Sequence, residues 1–171
     1  WCVPPERLDL IHSEDPSRKT DGALIATAYT IECLRLLAKF AALLEQSDDA
    51  ARWQALRKQS VKAFNDKFLT IRRGTSRVPG HTLYPDSVFY GNNTATANVL
   101  PLAFGIAPDS LRSEIAKNIV TDIITRDNGH IPCGVIGTSW LLRALSDQGY
   151  GEIAWLLATN STYPSWGYMA E

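Results

Sequence analysis

The chain has 171 residues, 45% of them hydrophobic and 20% charged, with a formal net charge of -1. That length fits one domain with a sizeable core, and the composition excludes a disordered or low-complexity chain. A near-neutral balance supplies no field for nucleic acid or an anionic lipid surface, so neither is an expected partner.

Helical signals dominate from the first third onward. Residues 21–46 are rich in Ala and Leu, lack Pro, and are apolar over most of the circumference, which predicts a helix buried on nearly all sides. Glu32, Arg35 and Lys39 within it exclude a membrane span. Glu32 and Arg35, three residues apart, predict a structural ion pair rather than a catalytic carboxylate. Residues 47–49, Ser-Asp-Asp, read as a short cap. A second helix then runs to about residue 67, with Trp53, Leu56, Phe64 and Phe68 on one side and Arg52, Lys58, Lys62 and Asp66 elsewhere, so it is amphipathic.

The same alternation follows twice more. Residues 94–104 are small and apolar, with Pro101 predicting a kink or a short helix. Gly105 ends it, Pro108 restarts the chain, and Leu111, Ile115, Ile119 and Ile123 at spacing four mark an amphipathic helix. Residues 134–148 lead through Gly149 into the last helix. Trp53, Trp140 and Trp155 fall on helical stripes and are expected in the core.

The predicted fold is therefore all-α, three helical hairpins, each an apolar helix followed by an amphipathic one. Links inside a hairpin are short (46–49, 105–108, 148–151), whereas the segments 1–20, 68–93, 126–133 and 161–171 are longer and rich in aromatic, Gly and Pro residues. Antiparallel helices put all the long segments on one face, where a site is expected. Apolar helices inside and amphipathic ones outside are the plan of an (α/α)6 toroid, of which residues 1–171 would supply about half. A solenoid of helical pairs is the alternative, and no repeated consensus supports it. Half a ring would expose apolar inner faces, predicting self-association or cover by the rest of a catalytic domain.

Metal chemistry has little support, because Cys2, Cys33 and Cys133 form no CxxC and His12, His81 and His130 lie far apart. The stretches DGALIATAYTIECLRLLAKFAALL, TATANVLPLAFGIAPDSLR and the run from Gly129 to Met169 together resemble the catalytic domain of bacterial α-L-rhamnosidases, glycoside hydrolase family 78. The resemblance implies an (α/α)6 barrel, no cofactor, a rhamnosyl glycoside as substrate, and inverting hydrolysis by two carboxyl groups. It also implies that both carboxylates lie outside these residues. The acid belongs upstream of a Gly-Asp-Trp motif whose Trp matches Trp1, and the base belongs a few residues beyond the aromatic loop 163–168. On that reading the chain is an excerpt cut at both ends inside functional loops, and inactive alone.

Seven residues are expected to contact sugar. Trp1 offers an indole for the C–H face of a rhamnose ring, and Trp166 and Tyr168 offer further aromatic surface. His130 can donate to a hydroxyl, and Asp86, Tyr90 and Asn93, with Asn92 beside them, precede an inner helix where their polar groups can meet paired hydroxyls. Ala95 departs from the Gln that many family members carry at the matching position.

Overall fold

The computed structural model describes residues 13–73 and 87–170. Helix α1 (Gly22–Leu43) begins at Asp21, whose carboxylate accepts the Ala23 N–H at 2.8 Å. Helix α2 (Ser47–Phe68) starts earlier than expected, so residues 47–49 form its first turn, with Asp48 and Asp49 at the positive end of the helix dipole. The link is residues 44–46 instead. Glu45 takes a left-handed conformation (φ 58°), and the Gln46 N–H donates back to the Ala41 carbonyl at 2.9 Å.

The same stop recurs. Helix α3 (Ala95–Ala103) ends at Gly105 (φ 62°), with Ile106 N–H on the Pro101 carbonyl at 2.9 Å. Helix α5 (Val135–Asp147) ends at Gly149 (φ 86°), with Tyr150 N–H on the Leu145 carbonyl at 2.9 Å. All three turns satisfy orphan carbonyls in the same way. They lead into α2, α4 (Arg112–Thr125) and α6 (Gly151–Thr159), which gives the three expected hairpins. A short α7 (Trp166–Ala170) follows, where the sequence suggested only a stiff loop.

Helices α1, α3 and α5 form one layer, with α3 packed against both of its neighbours, and each carries its amphipathic partner on the outside. Helix α3 is buried at every position from Ala95 to Leu102, as a central helix with no polar face must be. Tyr29 and Trp140 both pack edge-on against Phe104, at 5.1 and 4.9 Å between ring centroids, and the Trp140 indole N–H donates to the Tyr29 hydroxyl at 3.0 Å. That cluster ties the inner layer together. From α2, the Arg57 guanidinium donates to the carbonyls of Phe104 and Gly105 at 3.0 and 3.1 Å, a cation on the negative end of α3.

Three expectations need correction. Helix α1 is not buried on nearly all sides: Ala26, Thr30, Cys33, Leu37, Phe40 and, just past its end, Leu44 form an exposed line at helical spacing. It stands at the edge of the array, with α2 and α3 as its neighbours and no other helix packed on its far side among the described residues. Trp155 is 71% exposed rather than core, for the same reason at the opposite edge. The third correction lies in the long segment after α2, which contains an antiparallel pair, β1 (Leu69–Arg72) with β2 (Ser87–Tyr90), in register Leu69 to Tyr90. Its β-branched and aromatic residues pack beside α4. Glu32 and Arg35 pair as expected, Nε to Oε2 at 2.7 Å.

Candidate functional site: a polar cleft on the long-loop face

The long segments lie together. Asn92 Nδ2 donates to the carbonyls of Ser17 and Lys19 at 3.1 and 2.9 Å, and the hydroxyls of Thr20 and Thr94 meet at 2.6 Å. On the other side, Asn160 Nδ2 donates to the Gly129 carbonyl at 3.0 Å. His130 joins the third and fourth segments, with Nδ1 3.0 Å from the Asp127 carbonyl and Nε2 2.9 Å from the Thr162 hydroxyl.

Between the first three segments lies a cleft of about 330 Å³, whose walls include Asp15, Arg18, Asn93, Arg126 and Asp127. Thr94 caps α3 at its floor, accepting the Ala97 N–H, and Ala95 also borders it. Asp127 is largely desolvated, and that burial raises its carboxyl above the ordinary carboxylate range against the opposing pull of Arg126, Arg18 and His130. Asp122, one helical turn earlier and 3.5 Å from Arg126 Nη1, is raised for the same reason. A second hollow, at the α1–α2 turn beside Ala42 and Ala51, lies on the short-link face and carries no comparable set of polar groups.

The expected site residues are spread over distinct places. Asn93 borders the cleft, in a left-handed conformation (φ 62°) that Asn tolerates. Tyr90 does not reach it: the side chain is fully buried, and its hydroxyl donates to Asn65 Oδ1 at 2.7 Å, so it is a core residue rather than a sugar contact. Burial pushes its phenol up accordingly. Asn92 is spent tying loops. Both ring nitrogens of His130 are engaged by the protein itself, which makes it a loop tie rather than a free donor. Trp1 and Asp86 lie outside the described residues.

Trp166 and Tyr168 are 40% and 52% exposed on α7, and Tyr163 packs edge-on against Tyr168 at 5.3 Å. Helix α7 is held against the preceding loop. Ser165 accepts the Tyr168 N–H at 3.1 Å, and a Cβ on Gly167 would lie 2.6 Å from the Asn160 carbonyl oxygen. The sequence reading missed Asp15, Arg18, Arg126 and Asp127. Their only signal was membership of the long segments, because nothing in their spacing differs from turn chemistry.

Among the described residues no group of three or more His, Cys, Asp or Glu gathers to hold a metal, and no helix is long and apolar enough to cross a membrane. Cys133 is buried beside Thr138, and burial pushes its thiol up to about 12, leaving it unreactive.

Comparison with known proteins gives a consistent result. A family model described as the bacterial alpha-L-rhamnosidase 6 hairpin glycosidase domain matches residues 1–171. An alpha-L-rhamnosidase of Streptomyces avermitilis is 33% identical over 152 residues, covering 89% of this chain and 13% of its own length. The crystal structure of an alpha-L-rhamnosidase from that organism complexed with L-rhamnose superposes with a TM-score of 0.74 at 32% identity, over 90% of this chain and 13% of that one. The alpha-L-rhamnosidase structure from Dictyoglumus thermophilum gives 0.76 at 29% identity, over 99% and 17%. The chain thus spans less than a fifth of the length of each of these relatives.

Proposed function

The chain belongs to the bacterial α-L-rhamnosidase six-hairpin glycosidase domain family, and from that premise we propose that it forms part of the catalytic domain of an enzyme that hydrolyses terminal α-L-rhamnose from plant glycans or glycosides. The observation that carries this reading is the family match along all 171 residues. The three hairpins then make about half of an (α/α)6 ring, and the exposed line on α1 is the seat of the next hairpin or of a self-association partner.

Hydrolysis with inversion is a single displacement. A general base takes a proton from water as its oxygen attacks the anomeric carbon, while a general acid protonates the departing glycosidic oxygen; the two carboxyl groups stand roughly 6.5–9.5 Å apart. In this reading neither belongs to the chain, which supplies the wall of the sugar site from Trp166, Tyr168 and the cleft. The test is hydrolysis of an aryl α-L-rhamnoside, with the anomer of the released sugar followed by NMR. The 171-residue chain alone is expected to show no turnover, and measurable hydrolysis by it would overturn the placement of both carboxylates outside it. Release of the sugar of an α-L-rhamnoside first as β-L-rhamnose, before mutarotation, by a complete enzyme carrying this chain is the expected sign of inversion. The rival reading, a helical-repeat interaction domain, draws on the exposed α1 line and predicts a protein ligand with no affinity for sugar.

A further inference from the structure

The side chain of Asn93 is oriented by two other amides. Its Oδ1 accepts from Asn98 Nδ2 at 2.8 Å and from Asn118 Nδ2 at 2.6 Å. The Asn98 amide is itself fixed, because it is 1% exposed and its own Oδ1 takes the Tyr90 N–H at 2.8 Å. With both lone pairs of Oδ1 used, what Asn93 retains for the cleft is its NH2, which donates twice and accepts nothing.

Asp127 borders the same cleft with the opposite capacity. An ionised carboxylate only accepts, and its side-chain contact inside the protein is a long one, 3.5 Å from Arg126 Nη2. A ring hydroxyl both donates and accepts, so adjacent hydroxyls of a sugar can use the two groups together. The charged residues of the wall are two Asp (15 and 127) and two Arg (18 and 126), a balance that suits a neutral ligand better than an anion. A volume of about 330 Å³ lies at the small end of ligand sites and suits a single ring.

We propose that this cleft holds one neutral pyranose unit, with the Asn93 amide donating to one ring hydroxyl and the Asp127 carboxylate accepting from its neighbour. The proposal rests on the rhamnosidase reading and extends it to named groups. Asn98 and Asn118 act as positioning residues that keep the Asn93 NH2 turned outward.

The experiment is an NMR titration of the full chain, labelled with nitrogen-15, using L-rhamnose, L-fucose and D-glucose as probes. L-Rhamnose is expected to shift the Asn93 side-chain NH2 signals. Asn93→Asp keeps the Oδ1 acceptor, tolerates the left-handed backbone and replaces both donors with an acceptor, so it should weaken binding about tenfold or more, as should Asp127→Asn. Unchanged side-chain amide signals of Asn98 and Asn118 in Asn93→Asp would show that the wall is intact. Binding of all three sugars alike, still lost in both variants, supports the cleft and overturns the L-rhamnose reading. Binding of L-rhamnose that neither substitution weakens overturns the cleft and leaves that reading standing, and a chain whose Asn93 NH2 responds to no sugar overturns the proposal.

Discussion

Replacing Gly137 by Ala sets two effects against each other. Alanine is the better helix former by about 1 kcal/mol, so propensity alone predicts stabilisation of α5. The structure predicts the opposite. A Cβ at 137 would stand 2.3 Å from Thr96 Oγ1, 2.8 Å from Cys133 Cβ and 3.0 Å from Cys133 Sγ. None of these is the loose end of a long side chain: Thr96 is buried in α3, and Cys133 is buried just ahead of α5. The helices must separate, and overpacking of this kind costs up to about 3 kcal/mol. Net destabilisation is then about 2 kcal/mol, a fall in Tm of roughly 4–8 °C for a domain of this size. Thermal and urea unfolding followed by circular dichroism measure it. The added substitution Thr96→Ala removes the nearest atom, so the double variant should recover part of the loss, with a coupling of about 0.5–3 kcal/mol. A Gly137→Ala variant that melts at or above the parent would refute the close-approach argument.

Glu45 occupies a left-handed position that its two counterparts fill with Gly, so Glu45→Gly should raise stability by about 0.5–1 kcal/mol, read in the same unfolding curves. Asp127 binds its proton more tightly folded than unfolded, so its burial costs stability above its raised folded value and not below the ordinary carboxylate range. Asp127→Asn should therefore stabilise the chain at neutral pH, with the gain shrinking as pH falls through that window; a gain independent of pH would show that the carboxyl is not the cause. Phe40→Glu with Leu44→Lys should abolish self-association of the chain in sedimentation velocity. A parent chain that is monomeric at every concentration would contradict the importance of the exposed line.

The hairpins were legible because each rests on a long periodic pattern with a recognisable stop. Gly105 and Gly149 announced their turns, whereas Glu45 did not, since a charged residue in a left-handed cap leaves no trace in composition. The strands β1 and β2 hid for a related reason: four residues each, separated by a long stretch, are too short to establish an alternation. Pro101 lies in the last turn of the nine-residue α3, the short helix it predicted, and its carbonyl accepts the closing N–H bonds of Ile106 and Ala107. The loop face was legible from segment lengths alone, but the division of labour on it was not. Tyr90 and His130 look like ligand-facing groups until their partners Asn65 and Thr162, 25 and 32 residues away, are seen. Asp127 looked like an ordinary turn residue, and only folding brings it to the same cleft as Asn93.

The close approach of α5 to α3 also bears on the spacing of the inner layer. Gly137 lets α5 come up to Thr96 of α3, while Phe64 and Phe68 of α2 and Ile115 of α4 fill the core behind them. A methyl group at position 137 would hold the two helices apart, so the gap between them is set at that point by what a residue lacks, much as a notch rather than a peg fixes how two beams seat.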